Sequence, residues 1–265
     1  AGIQGVICDM DGVLWRGLEP LPGFQRFFDF LHTRQINYVL VTNNSSRTPA
    51  QYAEKLSQMG ARVGEEHILN SAVSAASYVA QTSPGARVYP IGGPGVLDAL
   101  QVYGLHICDS EAKSVDVVVV GWDQLLTWKK LAAATRFILD GAKFVGTNPD
   151  LTFPMESALA PGNGAQLAAL QAATGVKPLV TGKPEALLYQ QAMDRMRTTA
   201  EETLVIGDRL DTDILGGVRL QMPTALVLTG ISGEGEVNQS PIHPSAVFQD
   251  MPHLLSTWQE HEKRN

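Results

Sequence analysis

Four consecutive valines, 117–120 in "VDVVVVG", leave no polar face for water. Successive side chains of a strand point to opposite sides, so a half-exposed strand alternates apolar with polar residues. A strand apolar in both directions is covered on both sides, as the strands of a parallel sheet are when helices pack against each face. Short runs of the same kind recur at "GVIC" (5–8), "YVLVT" (38–42), "KFVGT" (143–147), "LVTG" (179–182), "TLVIGD" (203–208) and "TALVLTG" (224–230). Segments with helical spacing lie between them, at 22–35, 49–60, 127–141 and 185–196; the second opens near Pro49 and stops at Gly60. The alternation predicts an α/β fold on a parallel sheet.

Composition narrows the partners. The 265 residues are enough for one large domain or two modest ones. A formal charge of −7, with no run of Lys or Arg, argues against nucleic acid. No apolar run approaches the ~18 residues of a membrane span, and no signal peptide is recognisable at the first residues. Two cysteines, Cys8 and Cys108, are too few for a disulfide framework and fit a reducing, cytoplasmic setting. The six histidines show no metal-ligand spacing.

Ligands of open parallel sheets bind beyond the carboxyl ends of the strands, so the residues just after each apolar run carry the functional information. After "GVIC" come Asp9 and Asp11, then Gly12; after "YVLV" come Thr42, Asn43, Asn44 and Ser45. Lys183 follows "LVTG", and Asp208 follows "TLVIG", with Asp211 and Asp213 close behind. Carboxylates suit a hard cation such as magnesium, which takes a few of them and keeps positions for water and phosphate. Hydroxyl, amide and ammonium groups suit phosphate oxygens. Phosphoryl transfer unites these parts: Asp9 as covalent nucleophile, Asp11 as general acid and base, and Thr42, Asn43 and Lys183 on the phosphate.

The stretches "DMDGVL", "VTNNS", "TGKP" and "IGDRLDTDI" resemble, in that order, the four motifs of the haloacid-dehalogenase (HAD) superfamily. The resemblance implies a Rossmann-like core and a magnesium site made by Asp9, the main-chain carbonyl of Asp11, and Asp208. Asp213 would support that site from behind, with Asp211 a bystander. Asp9 and Thr42 are 33 positions apart, too close for an intervening domain, whereas Thr42 and Lys183 are 141 apart. An α/β cap inserted at 84–177, bounded by turn-rich "SPGA" (83–86) and "GVKP" (175–178), is therefore expected, with a discontinuous core at 1–83 and 178–265. That layout is similar to the type IIA cap of NagD-like and 4-nitrophenylphosphatase-like enzymes, as are "FVGTNPD" (144–150) and "APGNGAQLAALQAATG" (160–175). It implies a magnesium-dependent phosphatase acting on small phosphate monoesters, such as sugar phosphates, phosphoglycolate, pyridoxal phosphate or 4-nitrophenyl phosphate. It also implies a homodimer formed through the cap.

Simpler readings stand beside these. An isolated Asp-x-Asp-Gly is most often a turn, "TNNSS" a strand end running into a helix cap, and a lysine before proline a solvated one. A calcium loop would need a glutamate where Leu18 stands. "APGNGA" and "IGGPG" lack the full dinucleotide fingerprint. Trp15, Asn148 and Phe153 are the specificity candidates, with Arg16, Trp122 and Met155 as further residues near substrate. Another HAD phosphotransferase or phosphomutase, or a module that binds phosphoesters without turning them over, are the alternatives; Asp11 argues against a pure binder, which needs no acid or base.

Overall fold

The structure, a computed structural model, describes residues 2–154 and 158–264, so Met155 lies outside it. The chain divides into two compact units. The first comprises Ala1–Thr42, Tyr52–Leu69 and Tyr189–Asn265, and the second Asn43–Gln51 and Asn70–Leu188.

The first unit carries a six-stranded sheet in the order Ala246–Phe248, Thr224–Val227, Thr203–Gly207, Gly5–Asp9, Asn37–Thr42, Ile68–Asn70. Pairing is parallel from the first of these through Asn37–Thr42, with Cys8 opposite both Ile206 and Leu40. Gly5–Asp9 is buried throughout, as expected for a central strand covered on both faces. Helix Phe24–Arg34 lays Phe24, Phe27, Phe28 and Leu31 into the core, and Phe28 meets Tyr38 of the neighbouring strand edge-on at 5.8 Å. Burial of each such side chain contributes about 1.5–3 kcal/mol. The helix ends where Gln35 turns left-handed and its N–H reaches back to the carbonyls of Leu31 and His32. Helix Met251–Arg264 closes the far side through Trp258 on Phe30 and the Arg34–Glu262 ion pair at 2.7 Å.

The second unit has a five-stranded sheet in the order Leu179–Val180, Lys143–Gly146, Val117–Val120, Arg87–Ile91, His106–Ile107, parallel at each pairing. An antiparallel ribbon, Thr152–Pro154 with Leu159–Pro161, accompanies it. The expected runs at 117–120, 143–146 and 179–180 are strands; Arg87–Ile91 was not foreseen, because Pro90 and the flanking Tyr89 break its apolar pattern. Helix Ser71–Thr82 was also missed. Its first seven side chains are small and all buried, so it has little polar face to give it a helical period.

That helix explains where the second unit begins. Asn70 caps it by accepting from the Val73 N–H at 2.8 Å, while Ser74 and Thr181 hydroxyls tie it to the segment around 181. The turns at 83–86 and 175–178 therefore both lie inside this unit, the first joining helix Ser71–Thr82 to strand Arg87–Ile91. Among the described residues no helix is long and apolar enough to cross a membrane.

Candidate active site

In the first unit, the carboxyl ends of adjacent strands bring three acids together. Asp9 is the last residue of its strand, Asp208 follows Thr203–Gly207, and Asp213 lies in the helical turn Leu210–Ile214. Each offers an oxygen within 4.8 Å of the others, and all three are buried. Two like charges about 4 Å apart repel by about 4 kcal/mol at an effective dielectric constant of ~20. Three buried carboxylates at such spacing need a cation or protons to offset them, and an all-oxygen set fits a hard divalent ion. The residues present thus fit a divalent metal, and Asp213, expected to support the site from behind, has a carboxylate oxygen within the cluster.

The backbone around Asp208 is shaped to admit its carboxylate. Its Oδ2 accepts the Ile231 N–H at 2.8 Å, and its main-chain carbonyl accepts the Ser232 N–H at 3.0 Å. A Cβ on Gly230 or on Gly12 would collide with the Asp208 side chain, and Gly12 has a φ of +85° besides. Thr229 donates to the Gly12 carbonyl at 2.6 Å, and Arg16 to the Thr229 carbonyl at 2.6 Å, tying the 229–232 loop to the first motif. Nothing in the pattern of "LTGIS" points to this loop; a glycine three residues past a strand is its only trace. Asp211, expected to be a bystander, is exposed and paired with Arg209 at 2.8 Å.

Asp11 stands apart from the three-acid cluster. Its side chain is exposed, and Oδ1 accepts the Trp15 indole N–H at 2.7 Å. Trp15 itself is fully buried, with the Lys55 ammonium 4.1 Å above its ring. Trp15, a specificity candidate by sequence, has no exposed surface here and turns its N–H to Asp11. Thr42, at the end of strand Asn37–Thr42, is also buried.

Asn43, Lys183, Asn148 and Phe153 belong to the second unit. Asn43 is expected on phosphate, and its side-chain amide is engaged within the protein. Nδ2 donates to Asp150 Oδ2 at 3.1 Å and to the Lys183 carbonyl at 2.9 Å, while Oδ1 accepts the Lys183 N–H at 2.8 Å. An amide has two N–H donors, and both are engaged here, so the Asn43 side chain ties Lys183 to Asp150. Asn148, a specificity candidate by sequence, is engaged within the protein in the same way. It donates to the Asn43 carbonyl at 2.7 Å and to Thr147, accepts the Asp150 N–H, and is buried. Lys183 is buried as well, at 3 % exposure. Trp122 lies under Phe153, rings stacked 3.9 Å apart, and its indole donates to the Pro161 carbonyl. Phe153 keeps partial exposure on the ribbon.

Residues 6–106 match the family of haloacid dehalogenase-like hydrolases, and residues 180–254 match the HAD-hydrolase-like family. The acid sugar phosphatase of Staphylococcus aureus is 39% identical over 253 residues, covering 96% of this chain and 97% of its own. Among solved structures, p-nitrophenyl phosphatase from Archaeoglobus fulgidus superimposes with a TM-score of 0.92 at 30% identity, over 97% of this chain and 100% of that one. NagD from E. coli K-12 gives 0.87 at 31% identity, over 95% and 98%. Family motifs, the parallel α/β architecture and the buried acids at the strand ends agree, and the chain belongs to the haloacid dehalogenase-like hydrolases as a phosphatase of the NagD-like and 4-nitrophenylphosphatase-like branch.

Proposed function

We propose that this chain hydrolyses small-molecule phosphate monoesters through an aspartyl-phosphate on Asp9, with magnesium as its metal. The observation that carries the reading is the buried trio Asp9, Asp208 and Asp213, with Asp11 two residues from the nucleophile but outside the cluster. Asp9 attacks phosphorus while Asp11 gives its proton to the departing oxygen; Asp11 then takes a proton from the water that cleaves the acyl phosphate, releasing inorganic phosphate and restoring Asp9. Asp9, the Asp11 carbonyl, Asp208 and Asp213 would hold the ion, which when bound supplies charge to offset the phosphate oxygens. Thr42 and Lys183 are assigned to the phosphate, Lys183 by its motif and by the amide clamp that fixes its backbone.

For the substrate, the names of the relatives support sugar phosphates first and 4-nitrophenyl phosphate as a surrogate; phosphoglycolate and pyridoxal phosphate are the next to screen. We assign 84–177 as the inserted cap, Phe153 as its specificity residue, and a homodimer through the cap. The net charge of −7 and the two free cysteines support a cytoplasmic enzyme without a nucleic-acid partner. The test is release of 4-nitrophenol and of phosphate from a panel of sugar phosphates, with magnesium and with chelator, beside Asp9→Asn. Turnover that needs magnesium and falls by about 10⁴-fold or more in Asp9→Asn is expected. Turnover that survives Asp9→Asn would remove the covalent route.

A further inference from the structure

We infer that Trp15 is a positioning residue that decides which oxygen of Asp11 handles the proton. The inference rests on the acid/base role proposed above and adds the atom that performs it. A carboxyl group carries its acidic proton on one oxygen, and an oxygen that accepts a hydrogen bond from a fixed N–H is the poorer place for it. Trp15 Nε1 donates to Asp11 Oδ1 at 2.7 Å, and among the described residues no other hydrogen bond reaches this carboxylate. Oδ2 is therefore the atom that delivers the proton to the leaving oxygen and later receives one from water.

The donor is held firmly. The indole has no exposed surface, and its main-chain carbonyl accepts the Gly12 N–H at 2.8 Å, closing the turn that contains both residues. The short antiparallel ribbon Trp15–Arg16 with Glu19–Pro20 fixes the backbone on the other side. Lys55 spans the arrangement from helix Pro49–Gln58, with its ammonium over the Trp15 ring and donating to the Gly17 carbonyl at 2.9 Å. Asp11, an exposed side chain with free rotation in principle, is thereby held at one oxygen by a buried one.

Leaving-group dependence tests this without relying on loss of activity alone. In phosphoryl transfer to Asp9, the alkoxide of glycerol 3-phosphate must be protonated as the P–O bond breaks, whereas 4-nitrophenolate departs without that help. The ratio of kcat/KM for the two esters, which covers steps through formation of the aspartyl-phosphate, is compared in wild type, Trp15→Phe, Asp11→Asn and the double variant. Trp15→Phe is expected to lower kcat/KM for glycerol 3-phosphate about tenfold more than for 4-nitrophenyl phosphate, a fraction of the 10²–10⁴ available to general acid catalysis. In the Asp11→Asn background the same change should have no further effect, since the group it positions is gone. An unchanged ratio in Trp15→Phe, or additive losses in the double variant, would overturn the inference while leaving Asp11 as acid intact. An unchanged ratio in Asp11→Asn would remove the acid role itself, and this inference with it. If Trp15→Phe does not fold, benzothienylalanine at position 15 replaces only the N–H of an otherwise equivalent ring, and the same ratios decide.

Discussion

The three-acid cluster of the first unit and the amide clamp of the second solve opposite problems with buried polar groups. Asp9, Asp208 and Asp213 bring carboxylates within 4.8 Å, an arrangement that calls for a cation or protons. Around Asn43, donors and acceptors match within the protein: the amide satisfies both main-chain groups of Lys183 and one carboxylate oxygen of Asp150, and Asn148 secures Asn43 in turn. Matched amides hold a backbone in one place without a ligand, and clustered carboxylates keep a site ready for one. Electrostatic mismatch, more than burial, thus separates the group that binds from the group that positions.

Breaking the clamp should cost most. Asn43→Asp replaces two donors with an oxygen facing the Asp150 carboxylate and the Lys183 carbonyl, so it should destabilise by about 3–5 kcal/mol. Chemical denaturation measures this, and the loss should be the same with and without magnesium. A loss that magnesium reverses would show that the clamp, too, depends on the metal.

A smaller effect is expected at the acids. Magnesium at 100 times its dissociation constant should stabilise the folded chain by about 2.7 kcal/mol. The midpoint of thermal unfolding should rise accordingly and fall back on chelation, and Asp208→Asn should blunt the rise. A midpoint indifferent to every divalent ion would mean that protons, not a metal, offset the three charges.

Asp211→Ala should have the least effect, within about 0.5 kcal/mol and with kcat unchanged, because its pair with Arg209 is exposed. This variant checks that proximity in sequence to Asp208 and Asp213 is not enough to enter the site. A tenfold loss of kcat would place Asp211 in the machinery after all.

Much of the site was legible because strand ends are local features. "GVICDMD" places Asp9 and Asp11 at the end of an apolar strand, and "TLVIGD" does the same for Asp208. Helix Ser71–Thr82 was illegible, since a helix with little polar face has no period to read. The partners of Asn43 and Asn148 were illegible for a different reason. Asn43 is expected on phosphate and Asn148 as a specificity residue, and only the folded chain shows the partners their side chains take up.

The sequence by itself determined the parallel α/β fold, the order of the motifs and the candidates for the chemistry, because those depend on side-chain type and on runs of a few residues. Tertiary structure decided the job of each polar atom. Asn43 meets Lys183 across 140 positions, Asp213 turns its carboxylate into a cluster with Asp9, and Trp15 goes fully under cover with its N–H aimed at Asp11. A donor's availability depends on what lies within about 3 Å of it, and in a folded chain that neighbour is set by packing, not by sequence distance.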